Sequence, residues 1–178
     1  MTQPSTATPR RSDSSDVVVR FSFRTPYWPL SFSYGLFADP STHMYYASLD
    51  HYIGYHMLAR YEDRERVVTA PNGYISYREL QEVLASGIDS EGHPVVSPSW
   101  EQDRDSILEQ GLRFKYGQSS FLRDLLVRTH PRRILDGSRD EETYWCHCNG
   151  RGQNAHGIAL MRLRARIIAG ENLSLSYS

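Results

Sequence analysis

Four short stretches carry side chains whose types and spacing could do chemistry. Asp50, His51 and Tyr52 follow Ser48 at what reads as the start of a helix. There the helix dipole favours a carboxylate. At the mouth of a pocket, Asp50 could steady developing positive charge or take a proton from water. The plainer alternative is a dipole-matched carboxylate beside a surface or half-buried histidine. Gly150-Arg151-Gly152-Gln153-Asn154 precedes another helical stretch. Glycines let backbone N–H groups approach a ligand, a helix start favours an anion, and Arg151 can grip phosphate. The spacing is neither a Walker motif nor a dinucleotide fingerprint, and such stretches also form plain loops. Cys146-His147-Cys148, with His156 near, raises the question of zinc. Structural zinc sites pair two separated ligand couples, and no second couple stands at such spacing, so no metal is expected. Trp100 and Trp145 are flat rings that could stack a base, against the usual fate of tryptophan in a core. Arg104 lies one turn beyond Trp100 on the same helical face. Lys115, Arg162, Arg164 and Arg166 read as solvated charges, with phosphate contact the lesser reading.

These residues need elements to hold them. Val17, Val19, Phe21 and Phe23 alternate as in a short strand. Residues 25–41 are aromatic and broken by Pro26, Pro29, Gly35 and Pro40, which predicts strand and loop. Ser48 offers an N-cap to a helix bearing Leu49, Tyr52, Ile53, His56 and Met57. Ser76 and Glu79 form a capping box ahead of Leu80, Val83 and Leu84, and Gly87 closes that helix. Ser99 and Gln102 repeat the pattern before Ile107, Leu108 and Leu112. Phe121, Leu122, Leu125 and Leu126 mark a further helix, ended by Pro131. Residues 136–153 read as loop, and Asn154 is placed to cap a last helix with Ile158, Met161, Leu163 and Ile167. The expectation is a mainly α, single multi-helical domain with a few short strands.

The bulk properties agree with one globular unit. The chain has 178 residues, of which 39% are hydrophobic and 23% charged, and its formal net charge is -1. That balance argues against a strongly basic, non-specific nucleic-acid binder, while leaving room for a local basic patch. No apolar run approaches the ~20 residues of a membrane-spanning helix. With two cysteines one residue apart and no secretory leader in view, a reduced cytoplasmic protein is expected. Residues 1–16, rich in Ser, Thr and Pro, read as a flexible tail, 17–170 as the domain, and 171–178 as a C-terminal tail. The 12 Tyr, 6 Phe and 3 Trp are a surplus that suits a site stacking flat rings.

Taken in order, the motifs resemble the NADAR/YbiA-like family. Tyr46-Ala47-Ser48-Leu49-Asp50-His51-Tyr52 is similar to an aromatic followed by S-x-E-H-Y. Trp100 and the helix running to Leu112-Arg113-Phe114-Lys115-Tyr116 resemble the family's tryptophan and L-R-x-K-F ending. The segment from Phe121 to Thr129, then Ile134-Leu135-Asp136, resembles a leucine-rich stretch and L-x-E. Tyr144-Trp145, Gly152-Gln153-Asn154, Gly157 and Leu160-Met161-Arg162-Leu163-Arg164 resemble YWG…G-x-N-x-x-G-x-x-L-M-x-x-R. Leu30-Ser31-Phe32-Ser33 is a looser echo of L-S-N-F. Asp50 and Asp136 each stand one methylene shorter than the family's glutamates.

The resemblance implies an N-glycosidase acting on an ADP-ribosyl or phosphoribosyl compound, either ADP-ribosylated guanine or a riboflavin-pathway intermediate. Its partner would be a small molecule containing ADP-ribose or ribose phosphate, with ADP-ribosylated nucleic acid as a second candidate, and no membrane, metal or cofactor. It implies Asp50 and Asp136 as catalytic acids. Substrate binding would fall to Ser48, His51, Tyr52, Trp100, Arg104, Lys115, Trp145, Arg151, Gly152 and Asn154. The alternative, favoured by the shortened acids, is a catalytically degenerate module that still binds ADP-ribose or another nucleotide.

Overall fold

Burial is earned by long helices that cross at small residues. In the computed structural model, which describes residues 18–139 and 144–173, α1 (Leu49–Met57) lies across α4 (Trp100–Gly117). Along α4, Leu108, Gly111, Leu112, Lys115 and Tyr116 are buried at helical spacing. Gly111 marks the crossing: a Cβ there would lie 2.7 Å from both Leu49 and Tyr52, so only glycine admits that approach. α2 (Tyr61–Val68) and α3 (Gly73–Ser86) cover α1, and a small second core of Leu58, Val67, Leu80, Val83 and Val95 seals them. α5 (Ser120–Val127) and α6 (Ala155–Ile168) pack beside α4.

The strands are few, as expected, and short. β1 (Val18–Phe21) pairs in parallel with β4 (Arg133–Asp136), and β2 (Phe37–Asp39) pairs antiparallel with β3 (Met44–Tyr46). β4 was not expected, and its last residue, Asp136, falls at the start of the stretch 136–153 read as loop: three of its four residues are buried, and they face β1 from more than a hundred positions away. Residues 1–16, read as a tail, lie outside the described residues. Beyond α6, Leu173 packs into the main core, its carbonyl within 2.9 Å of where a Cβ on Gly117 would sit.

Two helix starts differ from the sequence reading. The box of Ser76 and Glu79 is bypassed, because Asn72 caps α3 four residues earlier, accepting from the Ile75 amide at 3.0 Å. Ser76 is thereby carried into the buried interior of the helix. Asn154 is no side-chain cap for α6. It sits in the left-handed region at φ 58° and its amide clamps β4, accepting from Asp136 N at 2.9 Å and donating to Ile134 O at 2.9 Å. Gly157 lies directly beneath, where a Cβ would meet Asn154 and Ile134 at 2.5 Å. α2 gave no periodic signal because Val67 is its one buried residue among the eight.

Candidate functional site

The elements converge on Asp50. Phe32 O accepts from Leu49 N at 2.9 Å and Asp50 N at 3.4 Å, which pins Ser33 against the first turn of α1. Ser33 Oγ then donates to Asp50 Oδ2 at 2.5 Å. The head of α3 closes on the same carboxylate. A Cβ on Gly73 would lie 2.6 Å from Ser48 Oγ and 2.9 Å from Asp50 Oδ2, so a side chain there would displace the acid. From the segment after β4, the Arg139 guanidinium donates to Asp50 Oδ1. Its guanidinium carbon lies 3.8 Å from the centre of the Tyr77 ring and 5.3 Å from that of Phe32. Burial works against the Arg139 charge, but the adjoining Asp50 outweighs it and holds the guanidinium firmly protonated.

In front of this pair opens a cavity of about 690 Å³. Phe23, Trp28, Tyr74 and Tyr77 give it aromatic lining, and Ser33, Ser138 and Arg139 give it polar lining. Asp50 itself is 4% exposed and lies directly behind Ser33 and Arg139. A cavity of this size, mostly apolar with a few convergent polar groups, is the ordinary form of a small-molecule site.

Behind the cavity sits a second, sealed layer. Asp136 accepts from Ser138 N at 2.9 Å, from Ser138 Oγ at 2.5 Å, and from His156 Nδ1 at 2.7 Å. Burial pushes its carboxyl up, yet the His156 and Ser138 hydrogen bonds pull it down further, so it stays ionised. For His156, burial and the nearby Lys115 and Arg139 charges outweigh Asp136 and keep the ring neutral, with Nδ1–H donating. Lys115 is wholly buried and donates to Ser31 O at 2.6 Å. Burial lowers its pKa to about 7 against the upward pull of Asp50 and Asp136.

That depressed value has a consequence for stability. A lysine whose folded pKa lies below its unfolded value binds fewer protons when folded, so stability rises with pH from about 7 to about 10. Relative to Lys115→Met, wild type should therefore gain about 2 kcal/mol of unfolding free energy between pH 7 and pH 9. Denaturant titrations of both proteins at several pH values measure this. A pH-independent difference would mean the ammonium stays protonated throughout.

The other residues singled out from sequence are placed differently. Ser48 and His51 serve each other: His51 Nδ1 is 2.8 Å from Ser48 Oγ, and Nε2–H donates to Ala70 O at 3.0 Å. Burial lowers the His51 pKa, which keeps the ring neutral in this role. Tyr52 is fully buried in the core. Trp100 and Trp145, expected as cavity walls, are core residues instead. They meet edge-on at 6.3 Å, and Trp145 also packs against Phe32 at 5.8 Å and Tyr144 at 4.7 Å. Arg104 stacks 3.6 Å over Tyr144 and pairs with Glu101 at 2.7 Å, away from the cavity lining.

The phosphate edge expected at Arg151, Gly152 and Asn154 falls outside the lining of that cavity. The amides at the head of α6 are spent on main-chain carbonyls: Asn154 N on Cys146 O, Ala155 N on Tyr144 O and His156 N on Trp145 O. Gly152 O accepts from His147 Nδ1 at 2.9 Å, and Arg151 is exposed, its backbone paired with Cys148. Asp136 lies behind the cavity rather than in it. Lys115 is a buried cation rather than a solvated one, and Arg164 is likewise buried, donating to Thr129 Oγ1 and Arg132 O. Cys148 Sγ donates to Arg139 O at 3.1 Å, bracing the segment that presents the guanidinium. Among the described residues, no group of three or more His, Cys, Asp or Glu stands together as a metal cluster.

Ser33, Tyr77, Trp28 and above all Arg139 were not found from sequence. Ser33 lay within the loose Leu30–Ser33 echo. Arg139 stands in a polar stretch after Asp136 with no periodicity, and its approach to Asp50 spans 89 residues.

This arrangement of a helix-head acid, a tryptophan-headed α4 and the Asn154–Gly157 clamp runs through the stretch that comparison with known proteins picks out. Residues 19–168 match the NADAR domain. The chain belongs to the NADAR domain family. Curated relatives include N-glycosidase YbiA of Shigella boydii, 30% identical over 69 residues, and of Escherichia coli K12, 29% identical over 69 residues. Each match covers 39% of this chain and 43% of the relative. The NMR structure of E. coli YbiA superposes with a TM-score of 0.71 at 20% identity, covering 92% of both chains. The NADAR fold thus holds across nearly the whole chain. Among the described residues, no helix is long and apolar enough to cross a membrane.

Proposed function

We propose that this NADAR protein hydrolyses the N-glycosidic bond of a ribosyl compound, with Asp50 as its catalytic carboxylate. One observation carries the reading: an acid at a helix head, fixed by Ser33 and Arg139, stands immediately behind an aromatic-lined cavity of about 690 Å³. The names of the YbiA relatives point the same way.

Cleavage of the C1′–N bond leaves its electron pair on the base nitrogen and positive charge on the ribosyl ring. A carboxylate facing C1′ stabilises that charge, takes a proton from the attacking water and so completes the ribose hydroxyl. The carboxylate then gives that proton up to the base nitrogen, so the acid is regenerated and one water is consumed. Trp28 and Tyr74, on the cavity lining, are the rings we assign to the leaving base. Asp136 acts at one remove, as the residue that positions Ser138 on the cavity lining.

The substrate we favour is an ADP-ribosyl or phosphoribosyl compound, whose leaving group is a modified guanine or a riboflavin-pathway intermediate. Incubation with ADP-ribosylated guanosine and with those intermediates, followed by mass analysis, should show ribose phosphate or ADP-ribose released from one of them. The closure of Asp50 behind Arg139 supports a second reading, a module that binds such ligands without turnover. Saturable binding with no release of the base would select it.

A further inference from the structure

Arg139 has two competing uses. Of the described residues lining the cavity it is the one cation, yet its guanidinium is engaged with Asp50, a residue behind that lining. Its side chain is 15% exposed and that of Asp50 is 3% exposed, so the guanidinium stands between the acid and the open space. Its guanidinium carbon lies 3.8 Å from the centre of the Tyr77 ring and 5.3 Å from that of Phe32, so aromatic faces flank it beside the cavity. A guanidinium presents five N–H donors in a fixed fork, and phosphate accepts that fork with two oxygens. The other buried cation nearby, Lys115, is committed to Ser31 O.

We propose that Arg139 is the specificity-determining residue for an anionic ligand group. In this exchange its guanidinium takes the phosphate oxygens of a sugar phosphate entering the cavity and, in doing so, releases Asp50 toward that ligand. The carboxylate and the phosphate are then alternative partners of one cation. A neutral sugar leaves the acid latched; a phosphorylated one unlatches it. The use made of the freed acid rests on the N-glycosidic reading, whereas the exchange itself does not.

Competition for one cation is a reciprocal coupling, which gives it a binding signature independent of turnover. Titration calorimetry with ribose 5-phosphate and with ribose is the test. Asp50→Asn removes the internal competitor, so ribose 5-phosphate should bind roughly tenfold or more tighter than to wild type, within the usual range of such couplings. Arg139→Gln should bind it roughly tenfold or more weaker, with ribose affinity little altered in both variants. Circular dichroism shows whether each variant is folded. If Arg139→Gln is not, Asp50→Asn is compared with the double variant Asp50→Asn/Arg139→Gln, which leaves no unpaired buried charge; the second substitution must then abolish the gain. Unchanged ribose 5-phosphate affinity in Asp50→Asn, or equal shifts for ribose and its phosphate, would overturn the exchange. If the exchange holds while wild type cleaves no N-ribosyl compound, the glycosidic reading falls and the anion site stands.

Discussion

Asp50→Asn should lower kcat by about a thousandfold, equivalent to ~4 kcal/mol of transition-state stabilisation, on whichever ribosyl substrate the wild-type protein cleaves. The substitution is nearly isosteric: the amide oxygen can still accept from Ser33 Oγ, and the first turn of α1 keeps its shape. What disappears is the negative charge that faces developing positive charge at C1′, and with it the base that takes a proton from water. Ligand binding should survive, since the aromatic lining is untouched. Asp136→Asn makes the contrast. That carboxylate is sealed at 0% exposure and holds Ser138 and His156, so its loss should show first in thermal stability. Turnover of Asp50→Asn within tenfold of wild type would take Asp50 out of the mechanism.

How much of this was legible in the sequence follows from what kind of contact each residue makes. Asp50 was found because a helix start is a local event: Ser48, the acid and the apolar spacing behind it lie within ten residues. The helical class and α4, α5 and α6 were found for the same reason, since periodicity is a property of one segment. β4 was missed because its partner β1 lies far off in the chain, and no local pattern announces a parallel pairing.

The site's partners failed in the same way but more completely. Arg139 is recognisable only by what it touches, namely Asp50, Tyr77 and Phe32 from three other segments. The glycine-flanked Arg151 looked like the better cation because its neighbourhood was suggestive. The fold instead spends the α6 amides on the carbonyls of residues 144–146 and leaves Arg151 exposed. Motif resemblance did not separate packing from binding at the tryptophans either, because a residue can belong to a family pattern for both.

That last distinction can be measured. Trp145 touches Phe32, Trp100 and Tyr144 with its ring and is 5% exposed, whereas half-buried Trp28 lines the cavity and meets Phe23 edge-on at 5.1 Å. Truncating a core aromatic forfeits its transfer free energy and leaves a void, so Trp145→Ala should cost ~3–5 kcal/mol of fold stability. For a chain of this length that corresponds to a melting temperature lower by roughly 10 °C or more. Because Phe32 carries the carbonyl that pins α1 and a ring beside the Arg139 guanidinium, activity should decline along with stability. Trp28→Ala should do the reverse, leaving the melting temperature within a few degrees while weakening binding of a ligand that carries a nucleobase by about ten- to a hundredfold, the worth of one stacked base at ~1–3 kcal/mol. Melting curves and ligand titrations on the two variants decide it. A stable Trp145→Ala with weakened base binding would return that ring to the cavity, and an unaffected Trp28→Ala would take the stacking wall away from the Phe23–Trp28 side.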